Sequence, residues 1–249
     1  MGIVAYRMLK IHPSANYERK GALPMTTAQT MQGYLEQYAL ISLEKRDRLE
    51  HLLGEHIYEL DLDARVIRFS NGLEIPYQVL GTESDNTLTW LWAWAEEQTE
   101  VPMNLLSSAF KLKDWGEREN IREFSIPSVD LDQADGHAIA LISTQVCNAS
   151  SFYRDDYEGG AAFLLLFDER INSQPSFDRA RLFQQFSELV SRIELNHRNL
   201  FLSYFLLKGL YPVEKGPLIA CELETGERVL AEFDETGRVV MLNGETIPE

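Results

Sequence analysis

The sequence predicts an α+β fold in which helices pack against an antiparallel β-meander sheet, with a small three-stranded meander at the C-terminus. In residues 57–81, apolar and polar side chains alternate, as they do in half-buried strands. In residues 217–245 the alternation returns, interrupted by two Thr-Gly turns. Segments with apolar residues at helical spacing lie before and between these stretches. Because short turns join the successive strands, we expect antiparallel pairing.

Charge and composition divide the 249 residues into three segments. Residues 1–24 have a net positive charge and no sustained periodicity, so we expect a basic, disordered leader. Residues 25–208 form the predicted α+β core domain, and the chain has enough apolar residues to bury a core. Residues 209–249 form an acidic β-meander appendage.

The bounds of the elements follow from periodicity and from capping residues. The first helix has Thr26 or Thr27 as its N-cap candidate and ends at Gly54. Four strands follow, the last of which contains three tryptophans. The remaining predictions are a helix over 103–120 with Asn104 as N-cap and Gly116 as its stop, a strand over 122–128, a helix within 130–157 capped by Asp132 or Asp135, an inner strand over 161–169 and a long helix over 177–207.

The stretch 87-TLTWLWAWAEE-97 places three of the four tryptophans at alternate positions. On a strand these side chains share one face, and small apolar residues occupy the other. A strand that is apolar on both faces is an inner strand, so the core interpretation leads. The alternative is a partly open aromatic pocket that binds a ligand. The residues concerned are Trp90, Trp92 and Trp94.

The segment 152-FYRDDYEGG-160 is the richest polar cluster in the chain. It combines one guanidinium, three carboxylates and two phenols with two glycines. The plain interpretation is the end of a helix that turns into a strand. The functional alternative is the rim of a binding site formed by Tyr153, Arg154 and Asp155.

The chain is strongly acidic, with a net charge of −16. The leader holds four basic side chains against Glu18, so the remainder carries −19. Such a surface repels phosphate backbones and anionic lipid, so we expect neither nucleic acid nor membrane as a partner. A basic protein partner would be attracted and its encounter accelerated. The sequence does not indicate an oligomeric state.

The sequence also favours a cytoplasmic location. No apolar run approaches the length of a membrane-spanning helix, and the N-terminus lacks the pattern of a signal peptide. The two cysteines, Cys147 and Cys221, form no disulfide framework, which is typical of a reducing compartment.

Motifs for catalysis or cofactor binding are not found. His51 and His56 are five residues apart, so a helix would point them to different sides, and no metal site is expected. No nucleophile elbow, phosphate-binding loop or dinucleotide fingerprint occurs, so we expect no cofactor and assign no catalytic residue.

Acidity and the missing motifs together favour a binding or interaction protein over an enzyme. Neutralisation of a basic partner, as an immunity protein performs it, is one version of this function. The alternative is a hydrolase or transferase whose carboxylate-based site is not visible as a linear motif, since carboxylates perform acid–base work without one.

Residues from about 30 to 170 resemble a bacterial family of unknown function. Members carry a Gly-Thr or Gly-Ser turn followed by Trp-Leu-Trp-Ala-Trp-Ala, which corresponds here to 80-LGTESDNTLTWLWAWAEE-97. Glu96 stands where the family usually has asparagine. A later Tyr-Arg pair followed by paired glycines corresponds to Tyr153, Arg154, Gly159 and Gly160. The resemblance implies a shared fold unit and brings no activity, cofactor or partner with it.

Overall fold

The computed structural model describes residues 30–95 and 101–246. Within them the predicted α+β class is confirmed, because helices pack beside a seven-stranded and a four-stranded sheet, both antiparallel. The leader over residues 1–24, the cap candidates Thr26 and Thr27, and Glu96 all lie outside the described residues.

The first helix, α1, spans Met31–Leu53. Thr30 is its N-cap, and its hydroxyl accepts a hydrogen bond of 3.1 Å from the Gly33 amide. The helix ends at Gly54, as predicted, where φ is 59°. A glycine adopts this backbone conformation without the steric cost that a Cβ imposes.

Seven strands form the main sheet, and the four predicted after α1 are all present. Strand β3 pairs with β2 at its start, with β4 at its end and with β7 along most of its length. Strand β7 lies between β3 and β6, so its prediction as an inner strand is confirmed. The strands are β1 (Tyr58–Asp61), β2 (Val66–Phe69), β3 (Glu74–Ser84), β4 (Thr89–Trp92), β5 (Ser128–Asp130), β6 (Ser151–Tyr157) and β7 (Gly160–Leu166).

The middle of β3 is irregular, and the sheet curls around it. The register between β3 and β7 shifts between Val79 and Gly81, and such a bulge bends a strand and increases its twist. Gly81 is required by a close approach, since a Cβ there would lie 2.6 Å from the Trp90 ring.

The remaining helices of the N-terminal two thirds differ in part from prediction. Helix α2 (Ser107–Glu119) starts at Ser107 and not after Asn104, because a separate 3₁₀ turn occupies Met103–Leu105. It passes through Gly116 and ends at Asn120, where φ is 58°. Gly116 therefore does not stop the helix. Its missing side chain allows Phe124 to pack closely, because a Cβ at residue 116 would lie only 2.5 Å from the Phe124 Cβ.

The predicted strand over 122–128 is wrong. A helical turn, α3 (Arg122–Ser125), occupies it, and β5 begins only at Ser128. The predicted helix within 130–157 is too long, because α4 (Gly136–Val146) ends at Cys147 and β6 follows. Its cap is Asp135, whose Oδ1 accepts a hydrogen bond of 2.7 Å from the Ala138 amide.

The predicted long helix over 177–207 is two helices. After the short helix α5 (Glu169–Asn172), α6 spans Arg179–Arg192 and α7 spans His197–Leu207. Ile193 is extended, with φ of −124° and ψ of 133°, and Asn196 caps α7 by accepting a hydrogen bond from the Asn199 amide. The apolar spacing continues across the break, which explains why one helix was predicted.

The C-terminal sheet contains the predicted meander and one further strand. Its order is β11-β10-β9-β8, and the short β8 pairs only with β9 among the described strands. Its buried side chains, including Ile219 and Phe233, join the same hydrophobic cluster as α1, α6 and α7. The strands are β8 (Val213–Lys215), β9 (Leu218–Glu222), β10 (Glu227–Phe233) and β11 (Val239–Thr246).

The tryptophan segment is largely core. Trp90 and Trp92 are fully buried, and the Trp92 indole donates a hydrogen bond of 2.9 Å to the carbonyl oxygen of Glu123. Trp94 does not continue the row, because β4 ends at Trp92 and a 3₁₀ turn follows. Its ring is half-buried, with Lys113 Nζ 4.6 Å from the ring centroid. The core interpretation is thus confirmed for Trp90 and Trp92.

A buried ion-pair network joins α1 to the C-terminal third of the chain. The Glu44 carboxylate lies 2.9 Å from Lys208 Nζ and 2.6 Å from an Arg48 guanidinium nitrogen, and it accepts a hydrogen bond from the Tyr204 hydroxyl. Lys208 also lies 3.2 Å from Glu224, in the turn after β9. The buried charge of Glu44 is thereby compensated on several sides, as a stable buried ion requires.

Replacing Trp92 with alanine should lower the free energy of unfolding by about 3–5 kcal/mol, because it empties a buried site of aromatic size. Urea denaturation followed by circular dichroism measures the loss. Trp94→Ala is the matched control and should cost clearly less, since its ring is half-buried. A Trp92→Ala protein as stable as the wild type would contradict the core assignment.

Replacing Glu44 with glutamine should destabilise the protein by about 3 kcal/mol, because Lys208 and Arg48 then keep buried charges without their main partner. Glu50→Gln on the same helix removes an exposed pair with Arg46 and should cost less than about 1 kcal/mol. Chemical denaturation compares the two variants. Equal losses would show that the buried network contributes no more than a surface pair.

Candidate functional site

The three polar residues predicted as a binding rim lie on strand β6 and not at the end of a helix. Side chains alternate along a strand, so Tyr153 and Asp155 face one side of the sheet and Arg154 faces the other. The structure therefore divides the predicted set between two separate clusters. Neither cluster includes the buried rings of Trp90 and Trp92 in its hydrogen bonds.

On the face of the sheet that carries Tyr153 and Asp155, β6 approaches β1, another edge strand of the curled sheet. The two strands run in the same direction, since four antiparallel pairings separate them. Among the described strands, no backbone pairing joins them. Two side-chain hydrogen bonds do so: His56 Nε2 lies 3.1 Å from the Tyr153 hydroxyl oxygen, and the Tyr58 hydroxyl donates to Asp155 Oδ1 at 2.6 Å. We call this contact the seam.

Aromatic rings fill the seam. The Tyr58 and Tyr153 centroids lie 5.0 Å apart at an edge-to-face angle, and Phe69 lies 5.7 Å from Tyr153. Burial, followed by the charges of Asp155 and Asp156, raises the pKa of Tyr153 to about 12. Burial and the hydrogen bond to Asp155 also raise the pKa of Tyr58. Both side chains are therefore neutral phenols at physiological pH.

Tyr77 of β3 belongs to the same hydrophobic cluster as Phe69 and Tyr153, and only 2% of its surface is exposed. Its hydroxyl is buried and has no hydrogen-bond partner among the described residues. Burial raises the pKa of Tyr77, and the charges of Asp61 and Asp155 raise it further, so the phenol lies within the field of the seam carboxylates.

The surface around the seam is acidic and also carries exposed apolar side chains. Residues 55–63 carry four carboxylates and no lysine or arginine, and residues 152–158 carry three carboxylates against Arg154. Large apolar side chains on the same two segments are exposed: Ile57, Tyr58, Leu62 and Tyr157. We call these two segments together the seam face.

On the opposite side of β6, Arg154 approaches a buried carboxylate. Glu83 of β3 is 7% exposed, and its Oε1 accepts a hydrogen bond of 2.5 Å from the Gly136 amide at the start of α4. Arg154 lies 3.8 Å from Glu83 Oε2 and also pairs with Asp156. A Cβ at Gly136 would lie 2.9 Å from Glu83 Oε1, so the glycine keeps room for this contact.

Burial shifts the pKa values of Glu83 and of His137. Burial raises the pKa of Glu83, and the Gly136 hydrogen bond and the Arg154 charge offset only part of the effect. Burial also lowers the pKa of His137, whose ring lies 5.3 Å from that of Phe163. Desolvation thus favours the neutral form of both groups.

Two of the open grooves in the described residues lie along α1. One of about 460 Å³ separates α1, α4 and α6 and has Arg46, Asp47, His137 and Arg181 in its lining. Its charges are largely paired, since Arg181 binds Asp47 and Arg46 lies 3.2 Å from Glu50. Glu83 is not among its lining residues. The other groove, of about 1010 Å³, lies at the start of α1 and contacts Glu36 and His197.

Within residues 30–95 and 101–246, no group of three or more His, Cys, Asp or Glu side chains is arranged to hold a metal ion. In the same ranges, every helix is too short or too polar to cross a lipid bilayer.

Residues 32–169 match the model of a family of unknown function, DUF6882. The chain belongs to this family. The match begins in α1 and ends just after β7, so it contains the tryptophan segment, the seam and the Glu83 cluster. No curated protein and no solved structure matches the chain. The description of this family names no activity.

The raised pKa of Glu83 predicts a pH-dependent stability. The folded state binds this proton more tightly than the unfolded state, whose pKa is near 4.5, so ionisation costs stability as the pH rises from there through the folded pKa. Glu83→Gln cannot ionise, so its free energy of unfolding should rise relative to that of the wild type as the pH increases through this window. At higher pH the difference between the two proteins should stay constant. Urea midpoints between about pH 4 and pH 8 measure it.

The control for this experiment is Glu117→Gln, an exposed residue of α2. Its stability difference from the wild type should be small, because the side chain is exposed. A Glu83→Gln difference that does not change with pH would contradict the raised pKa.

Proposed function

We propose that this member of DUF6882 is an interaction protein that binds a basic protein partner through the seam face. The observation that supports the proposal is the seam face itself, where seven carboxylates against one arginine surround exposed apolar side chains. Charged surfaces of this kind steer an oppositely charged partner and raise the association rate.

Tyrosines and aliphatic side chains suit the centre of such an interface. Protein interfaces are enriched in aromatic residues, which supply most of the binding energy once the surrounding polar rim excludes water. Tyr58, Tyr157 and Ile57 stand exposed among the carboxylates of the seam face. Charge then attracts the partner, and the apolar contacts retain it.

The same features support a finer version of the proposal, in which the protein neutralises its partner as an immunity protein does. A net charge of −16 favours a cationic partner and disfavours nucleic acid and anionic membranes. Cys147 and Cys221 are both buried and unpaired, which supports a reducing, cytoplasmic setting.

A second candidate function is carboxylate-based hydrolysis or group transfer at Glu83. The raised pKa of this buried side chain, which lies 3.8 Å from Arg154, is the kind of perturbation found at catalytic acids. Binding is the stronger proposal, because Glu83 Oε1 is engaged by Gly136 and Glu83 does not line the neighbouring groove. A capping role for the N-terminus of α4 explains the contact without chemistry.

The test compares two triple charge reversals. The seam variant replaces Glu59, Asp63 and Glu158 with lysine. The control variant replaces Asp114, Glu117 and Glu235, which are equally exposed and lie elsewhere, so the net charge of the two proteins is identical. Each immobilised protein is incubated with lysate of the native cell at about 50 mM and 300 mM salt, and bound proteins are identified by mass spectrometry.

We expect the wild type and the control variant to capture a basic protein at low salt and the seam variant to lose it. With the purified partner, the association rate should fall as ionic strength rises. Equal capture by the two variants, an acidic partner or no captured partner would contradict the proposal.

A further inference from the structure

We propose that His197 forms an acid-sensitive latch between the C-terminal sheet and α7. While its imidazole is neutral, His197 holds the turn between β10 and β11 against the start of the helix, and protonation of the ring releases this turn. We call residues 234–238, which join the two strands, the meander turn. The inference goes beyond the proposed function, because the meander turn belongs neither to the seam face nor to the Glu83 cluster.

Two hydrogen bonds join the meander turn and the start of β11 to α7. The Val239 amide donates to His197 Nδ1 at 3.2 Å, and the Arg198 amide donates to the carbonyl oxygen of Gly237 at 3.0 Å. A Cβ at Gly237 would lie 2.5 Å from the side chain of Asn196, the N-cap of α7. The meander turn therefore lies directly against the first residues of the helix.

The bond to Val239 requires a neutral imidazole. An amide N–H donates only to a ring nitrogen that carries a lone pair, so the proton of neutral His197 is on Nε2. Protonation places a second N–H on Nδ1, and two donors then face each other. The hydrogen bond is lost, and the Val239 amide loses its acceptor.

Charged groups from several elements surround His197. Those that line the groove beside it are Glu36 of α1, Arg192 at the end of α6, Glu194 before α7 and Arg238 of the meander turn. Arg198, the next residue of α7, is paired with Glu214. Both oxygens of Glu36 already accept hydrogen bonds from the start of α7, so this carboxylate is not free to pair with an imidazolium.

Acid therefore weakens the latch. Burial, followed by the charge of Arg238, lowers the pKa of His197 from its usual 6.5, and Asp234 offsets part of the effect. The positive end of the α7 dipole also disfavours a cation at this position. Because the folded state binds the proton less tightly than the unfolded state, the contact stabilises the protein above about pH 6.5. This stabilisation is lost as the pH falls through the folded pKa.

The meander turn keeps its own shape without the helix. Asp234 Oδ1 accepts hydrogen bonds of 2.9 Å from the amides of Thr236 and Arg238, and the Asp234 amide donates to the Arg238 carbonyl oxygen at 2.9 Å. The turn can thus leave α7 as a unit. Thr236 and Arg238 line the groove of about 1010 Å³ at the start of α1, so release of the turn opens one wall of that groove.

The experiment measures amide hydrogen exchange by NMR on the full chain, from about pH 7.5 to about pH 4.5. Protection factors, corrected for the intrinsic pH dependence of exchange, are compared for three amides. Val239 and Arg198 report on the latch, and Leu200, whose amide bond lies within α7, is the internal reference. His197→Asn keeps an acceptor near the position of Nδ1 and removes the titration. Its matched control is His51→Asn, at an exposed histidine of α1.

We expect the protection of Val239 and Arg198 to fall together about fivefold to tenfold on acidification, as the loss of one hydrogen bond predicts, while Leu200 stays protected. His197→Asn should keep both reporters protected over the whole range, and His51→Asn should behave as the wild type does.

Arg238→Gln is a second variant that leaves the backbone hydrogen bonds of the meander turn in place. It removes a charge that opposes protonation of His197, so the loss of protection should begin at a higher pH. If His197→Asn does not fold, this shift decides the question.

Four results would overturn the inference. The first is a Val239 protection factor that is the same at both ends of the pH range. The second is a loss at Val239 without one at Arg198, because the meander turn would then remain on the helix. The third is an equal pH-dependent loss in His197→Asn, which would assign the titration to another group. The fourth is an unchanged transition in Arg238→Gln.

Discussion

The pairing of β3 with three other strands is the constraint on which the main sheet depends. One strand of 11 residues supports β2 at one end, β4 at the other and β7 along its length. The register shift next to Gly81 bends it, and the sheet follows the bend, so that the edge strands β1 and β6 approach each other. The seam therefore results from this curvature. The Glu83 cluster lies on the opposite face of the sheet.

Local signals predicted the elements that local chemistry controls. The glycine stop of α1, the Asp135 cap, the inner strand β7 and the burial of Trp92 all follow from periodicity or from one capping residue. The failures have equally local causes. Apolar spacing runs through the break before Asn196 and hid it, and the extended pattern of 122–128 gave way to a helical turn once Phe124 packed against Gly116 and Trp115.

The candidate sites depend on contacts that no linear pattern encodes. His56 and Tyr153 are separated by 97 positions, and Glu83 and Gly136 by 53. The sequence singled out residues 152–158 because they concentrate polar side chains, but it could not divide them between two faces without knowing that the segment is a strand. One signal was present: residues 55–63 contain four carboxylates within an otherwise apolar alternation. Glu83 had no signal beyond a carboxylate on a mostly apolar strand.

The ion-pair network around Glu44 gives the family match a different meaning. The matched residues end at 169. Helix α1, at the start of the match, nevertheless depends on later residues, because Lys208 pairs with its Glu44 and α7 packs against it. A fragment trimmed to residues 32–169 would expose an apolar face of its first helix to water and would leave Glu44 without Lys208. The limits of sequence similarity are therefore not the limits of the folded core, because side chains after residue 169 complete the hydrophobic cluster to which α1 belongs.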